Sequence, residues 1–320
     1  MRNIFFKAIN RIGVSSVLRW SKGESVTVLS LHRVSEERHS FFDPINPQTF
    51  EALVEYYCKH YHVTSFKDIA QRSRKPKLIL SFDDGYYDFI EYAVPVLKKY
   101  GLPSNHNLVN ACLNNNAVIW TQKLNDIFIH LKNNNITENR LIEKTGIKYN
   151  HNWTQYYLSF FHKLLTLPTA EKDQILEQLA TEYNVRPVYR MMNWEDAKNC
   201  IEKYDVEIGC HTYHHPSLFS ITTQQELEME IGNSINELED KLAVKIDILA
   251  LPNGQFNNNV VAYSKTKAIK YLLLSDDKAN PVKNLNNDFN LISRINMVNE
   301  NIDEAILRTE LFHPKIRKII

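Results

Sequence analysis

Residues 78–85 read Leu-Ile-Leu-Ser-Phe-Asp-Asp-Gly. An apolar, β-prone run that ends in two adjacent carboxylates and a glycine has the pattern of a buried strand delivering acidic groups to its C-terminal end. In α/β proteins that end of the sheet carries the chemistry. Neighbouring residues on a strand point to opposite faces, so Asp83 and Asp84 share a task only if the chain turns there, and Gly85 permits such a turn. Two carboxylates with two roles is one reading. An Asp-Asp-Gly turn that caps the following helix is the other, and this stretch alone leaves both open.

Working outward, the pattern is one of alternating strands and helices. Val26–Val34 reads as a first core strand ending at His32, and the apolar spacing from Thr49 to His60 predicts a helix capped by Thr49. After Gly85 a helix runs to Gly101, with Pro95 expected to bend it or to lie in its first turns. Ser104–Asn110 follows as a short strand containing His106. From 111 to about 195 the rhythm breaks into two helical patterns, 121–132 and 153–183, read as a helical insertion. Alternation returns with a helix opened by Asn193 and a strand leading into His211, His214 and His215. A helix from Thr222 or Thr223 to Leu242 comes next, and strands then end near Pro252, Ser275 and Arg294. About seven strands separated by helices predict an α/β protein with a parallel (β/α) barrel.

The histidine cluster is the second informative stretch. His211 and His215, four residues apart in a turn after a strand, are able to converge on one divalent ion, and a carboxylate such as Asp84 completes a three-ligand site with open positions. A surface loop with incidental metal affinity is the alternative.

A chain of 320 residues that is 43% hydrophobic accommodates one large domain with a sizeable core. With 38 basic and 37 acidic side chains, the charge balance gives no support for a nucleic-acid partner. Four scattered cysteines without a CxxC pair disfavour a thiolate zinc site and a disulfide framework and fit a reducing compartment. Residues 1–22 hold five basic and no acidic side chains among apolar ones, with no uninterrupted run long enough to span a bilayer and no clear secretory cleavage pattern. An amphipathic helix lying on an anionic membrane face is one expectation, and a terminal helix packed on the domain with its basic face in water is the other. The expected organisation is a basic helix over 1–25, a barrel over 26–300 and a C-terminal helix or tail over 301–320.

Together these pieces resemble the NodB-type polysaccharide deacetylases, metal-dependent carbohydrate esterases with a distorted seven-stranded (β/α) barrel. SFDDG at 81–85 resembles the family's TFDDG, HTYHHPSL at 211–218 its HTxxHPxL, ALPNG at 250–254 its proline loop, and LISRINMV at 291–298 the closing segment of one branch. The resemblance covers most of residues 26–300. It implies Asp83 as general base, Asp84, His211 and His215 as metal ligands, and His214 as a bystander. The ion implied is Zn2+ first, with Ni2+, Co2+ or Fe2+ also fitting such a site. The backbone N–H of Asn253 would serve a developing oxyanion, and His106, Pro252 and Asn253 would face substrate. For the general acid, LHRV at 31–34 resembles the YHRV of the branch that deacetylates poly-N-acetylglucosamine and points to His32, whereas Leu311-Phe312-His313 fits the letters of an LxH motif. Two departures stand out. Ala250 occupies a position where relatives often carry an arginine that orients the base, a role Arg294 is expected to assume, and Asn105-His106-Asn107 replaces the usual Thr-Phe-Phe.

The function expected is removal of an N-acetyl group from an amino sugar in a surface-glycan intermediate. A lipid-linked substrate and peripheral contact with the inner membrane face are expected from the basic ends, and cytoplasmic placement from the lack of a clear secretory signal and the free cysteines. The alternatives are deacetylation of an exported polymer such as poly-N-acetylglucosamine, chitin or peptidoglycan, and a catalytically silent glycan-binding protein. The base beside a metal ligand argues against the last. A two-carboxylate glycosidase would leave the histidines unexplained.

Overall fold

The computed structural model describes residues 2–312 except 39, 116, 187, 188 and 287. Among the described residues ten strands form one sheet: β1 (Ser25–Leu31), β2 (His62–Val63), β3 (Lys77–Asp84), β4 (Ser104–Leu108), β5 (Val206–Cys210), β6 (Ile248–Ala250), β7 (Tyr271–Leu273), β8 (Asn280–Pro281), β9 (Asn290–Ile292) and β10 (Ile295–Asn296). The order β10-β1-β3-β4-β5-β6-β7-β9 is parallel throughout, with β2 added beside β3 and β8 antiparallel to β1. β9 pairs with β7 and β10 with β1, and only Ser293 and Arg294 separate them. One interrupted segment therefore nearly closes a barrel of seven strand positions, as the sequence predicts.

The barrel interior is layered. Val26, Val28, Ile79, Ile248, Tyr271 and Ile292 pack with Phe66 and Ile69 in an apolar lower layer. Toward the strand C-termini the buried residues turn polar, with Ser30, Ser81, Asn105, Asn107 and Arg294. The outer strand faces pack against helices whose apolar stripes match the expected spacing, among them Phe50, Leu53, Val54 and Tyr57 on Pro47–His60. That helix is capped three residues earlier than expected. Asn46, not Thr49, accepts the backbone N–H groups of Gln48 and Thr49, with Pro47 in the first turn where its missing N–H costs nothing. Ahead of Pro95 the chain forms a π-helical turn, Phe89–Ala93, before Val94–Tyr100. Proline supplies no N–H to the carbonyl four residues back, and the wider turn absorbs the mismatch.

The insertion is helical, with its own core of Leu124, Phe128, Tyr156, Tyr157 and Phe160. The predicted 153–183 helix is two, Trp153–Leu165 and Thr169–Glu182, separated at Pro168, and short helices Asn110–Asn115 and Arg140–Lys144 were not anticipated.

The N-terminal segment also differs from expectation. It forms Arg2–Arg11 and Val14–Ser21, broken at Gly13 in the left-handed region (φ 84°). Arg2 pairs with Glu304 at the surface, and Arg19 and Lys22 pair with Glu310 at 3.1 and 2.9 Å, so these last two basic side chains face the protein while Lys7 and Arg11 stay exposed. Ile4, Phe5, Ile12, Val17 and Trp20 face outward, Trp20 being 84% exposed. Among the described residues no helix is long and apolar enough to cross a membrane. His313 and the basic tail beyond it lie outside the described residues.

Candidate active site

The acidic strand ends in a turn that begins one residue earlier than Gly85 requires. Asp84 itself adopts φ 79°, followed by Gly85 at 86°. This swings Asp84 out of strand alternation, so that both carboxylates reach the same end of the barrel with different surroundings. The turn is held from below by His106, whose Nε2 accepts the Gly85 N–H at 3.2 Å. His106 is completely buried and packs edge-on against Phe89, and burial pushes its imidazole down to about 4, keeping it neutral. It supports the carboxylate turn and does not line a substrate surface, which corrects the expectation placed on it.

His211 follows β5 directly, and its loop is also built on left-handed residues, Thr212 (φ 68°) and His215 (φ 58°). The Thr212 hydroxyl accepts the His215 N–H at 3.0 Å and fixes the turn. Asp84 Oδ1 lies 3.4 Å from His211 Nε2 and 3.6 Å from His215 Nε2, and one ligand atom from each of the three residues falls within 4.8 Å of the others. His211 Nδ1–H donates to the Ala250 carbonyl at 2.9 Å, so that in the neutral ring the lone pair is on Nε2, directed at the cluster. Burial first, then the neighbouring His211, depresses His215 to about 3, so its imidazole is neutral. Among the described residues Asp84 Oδ1 has no hydrogen-bond partner although it is fully buried. Three converging donors, one an orphaned anionic oxygen, fit a divalent ion of the zinc type. His214 turns away, 43% exposed, and pairs with Glu230 at 2.8 Å.

Asp83 sits beside this cluster but is held differently. Its Oδ1 accepts Arg294 Nη1 at 2.8 Å and Asn107 Nδ2 at 2.7 Å. Oδ2 lies 4.0 Å from His32 Nε2 and 4.0 Å from His211 Nε2. Burial would raise this carboxyl, but Arg294 foremost, with His211 and His32, holds it far below the usual carboxylate range. Arg294, 1% exposed, is anchored by donating from Nε to the Leu274 carbonyl at 3.1 Å. It grips the Asp83 carboxylate from inside the barrel, while Ala250 has no side chain able to do so. His32, at the end of β1, is the half-exposed member, 47% accessible.

The Pro252–Gly254 turn follows β6, two residues beyond the Ala250 carbonyl that orients His211. Pro252 is buried, and Asn253 adopts φ 55°. The barrel thus brings together Asp83, Asp84, His32, His211, His215 and Arg294, with Pro252 and Asn253 on the adjoining strand end.

Residues 175–272 match a family model described as polysaccharide deacetylase. That segment is similar to the polysaccharide deacetylases. The matched segment includes His211, His215 and the proline turn, while the acidic pair comes from the preceding half of the barrel. Among solved structures, the Streptococcus pyogenes deacetylase PplD in complex with acetate aligns with a TM-score of 0.58 at 14% identity, over 89% of this chain and 98% of that one. IcaB from Ammonifex degensii aligns with a TM-score of 0.59 at 14% identity, over 90% and 98%. A de-N-acetylase from Aggregatibacter actinomycetemcomitans gives 0.55 at 18%, over 86% and 95%. At these identities the likeness is one of fold. No curated protein sequence matches the chain.

Within this deacetylase fold two supports were not expected from sequence. Trp120, at the start of an insertion helix, donates its indole N–H to the His215 carbonyl at 3.0 Å, and the Lys172 ammonium lies 4.5 Å above the Trp120 ring. The insertion thereby buttresses the histidine loop. The second is the polar pair Asn105 and Asn107. Asn105 accepts Ser81 Oγ at 2.7 Å, and Asn107 reaches Asp83 itself. Strand parity was the available signal, since 105 and 107 share one face of β4 and Asn107 is the register partner of Asp83.

Proposed function

We propose that this protein is a metal-dependent N-deacetylase acting on an amino sugar of a surface-glycan intermediate, with Asp84, His211 and His215 holding the ion and Asp83 acting as base. The observation that carries the reading is the division between the two adjacent carboxylates. Asp84 Oδ1 is buried and faces two imidazoles, whereas Asp83 is fixed through one oxygen and presents the other beside them. A divalent ion held by the three ligands would polarise an acetamide carbonyl and acidify water. Asp83 Oδ2 accepts the water's proton, a role that suits a carboxylate whose second oxygen is immobilised. His32, at the open edge of the site, protonates the departing amine. The Asn253 backbone N–H, on the turn after β6, stabilises negative charge on the acetamide oxygen.

We further propose a lipid-linked substrate and peripheral attachment to the inner face of the membrane. Support comes from the outward apolar side chains of the two N-terminal helices, Trp20 and Ile12 at 84% and 78% exposure, with Lys7 and Arg11 also exposed. All four cysteines are free, which suits the reducing cytoplasm.

The test is acetate release from N-acetylhexosamines offered free, as oligomers and polyprenyl-linked, before chelation, after it and after zinc is returned. The expected result is chelator-sensitive, zinc-restored release that is fastest with the polyprenyl-linked sugar. Preference for the oligomer would replace the lipid-linked substrate with a polymer, and no release from metal-loaded protein would overturn the deacetylase reading.

A further inference from the structure

Asp83 is gripped by two donors, and only one of them, Arg294, has a role assigned above. Asn107 is the register partner of Asp83 on one side and of Gly209 on the other, which places its side chain inside the upper barrel. Its amide nitrogen lies 2.7 Å from Asp83 Oδ1 and 3.1 Å from both Ser81 Oγ and the Phe82 carbonyl. Turning the amide over would set its oxygen against the Asp83 carboxylate and the Phe82 carbonyl, acceptor against acceptor, so one orientation is imposed.

That orientation has a cost. Among the described residues Asn107 Oδ1 has no hydrogen-bond partner, although Asn107 is completely buried. A residue that merely filled this space would be apolar, because leucine of similar volume strands no acceptor. The neighbouring strand is also adapted to it. A Cβ added at Gly209 would lie 2.1 Å from Asn107 Oδ1 and 3.0 Å from Ile248 Cγ2, so position 209 tolerates no side chain while the amide is in place.

We infer that Asn107 is a positioning residue for the reaction, acting with Arg294 to lock Asp83 through Oδ1 so that Oδ2 alone faces the reacting atoms. This rests on Asp83 being the base. Arg294 supplies one nitrogen to Oδ1 at 2.8 Å. The second donor, from a different strand, prevents the carboxylate from turning about its Cβ–Cγ bond. The oxygen left over is the one 4.0 Å from both His32 Nε2 and His211 Nε2. Misorienting a proton acceptor lowers turnover without altering how substrate or metal is held.

The experiment compares wild type with Asn107→Leu, both zinc-loaded, measuring kcat and KM on an N-acetylglucosamine oligomer, bound zinc and Tm. The expected variant binds zinc as wild type does, keeps KM within about twofold, keeps or raises Tm, and loses roughly thirtyfold in kcat. A kcat within threefold of wild type in the folded, zinc-loaded variant would overturn the inference. Should the leucine variant fail to fold, Gly209→Ala provides a second route. It is expected to displace the amide, lowering both Tm and kcat. Adding Asn107→Ala should then restore Tm but not kcat, and recovery of kcat in that double variant would count against the inference. A zinc-loaded wild type that releases no acetate would remove the base reading and this one with it. An active wild type with an unimpaired Asn107→Leu variant would remove only this one.

Discussion

The two halves of the site are built by opposite means. The proposed ligand half is made of turns, with Asp84, Thr212 and His215 all in the left-handed region, and its donors converge on one another across 3.4 to 3.6 Å. The proposed base half is made of strands, with Asp83 held from inside the barrel by Arg294 and Asn107. Turn-borne donors can approach a common point that flat strands cannot reach, and non-glycine residues with positive φ persist only where surrounding structure fixes them. Strand-borne donors aim one carboxylate with little freedom. The difference teaches that a pair of adjacent aspartates is divided by backbone geometry before any chemistry distinguishes them.

The largest expected effects separate the halves outright. Asp83→Asn should lower turnover about a thousandfold or more with zinc retained, whereas Asp84→Ala and His211→Ala should lose zinc and activity together, as measured by metal analysis beside acetate release. Equal zinc content in all three would erase the distinction. Next comes Arg294→Met, which leaves Asp83 charged and buried without its cation. It should cost about 3–5 kcal/mol of stability, read by denaturant melts, with much of the loss recovered on adding Asp83→Asn.

The ligand half should also reveal itself through pH. In metal-free protein burial alone would lower His211, but Asp83 and Asp84 raise it above its ordinary value, so folding favours its protonated form. The stability it contributes is fully present below the unfolded pKa of about 6.5 and is lost as pH rises through the folded pKa. Zinc requires the same imidazole neutral, so zinc binding strengthens over that interval. Thermal melts from pH 6 to 8 should therefore fall with chelator and rise with zinc, and parallel curves would contradict the ligand assignment of His211. The smallest effect is expected for Trp120→Phe, which removes the indole donor to the His215 carbonyl and should weaken zinc binding roughly tenfold while leaving the base half untouched.

These halves were unequally legible in the sequence. The ligand half announces itself, because histidines spaced at 211 and 215 and an acidic pair closing an apolar strand are compositionally rare and tied to a chain turn. Barrel architecture was legible for a similar reason, since strand and helix periods alternate, although the break at Ser293 and Arg294 in the closing strand was not. The support beneath Asp83 was not, because Asn105 and Asn107 resemble the chain's many loop asparagines, and only the pairing of β4 between β3 and β5 reveals their common face. His106 was expected to face substrate, although strand parity turns it outward against Phe89. Helix ends at Pro47, Pro168 and Gly13 depended on caps and breaks that periodicity alone does not locate. The packing of the second N-terminal helix depended on Glu310, some 290 residues away, which draws Arg19 and Lys22 inward.

The most direct test of the central claim is acetate release by wild type and Asp83→Asn on one N-acetylated amino-sugar substrate, with bound zinc counted in each sample. The account predicts chelator-sensitive release by wild type and none above background from Asp83→Asn carrying the same zinc. Comparable turnover by the two proteins, or undiminished wild-type release after zinc is stripped, would contradict it.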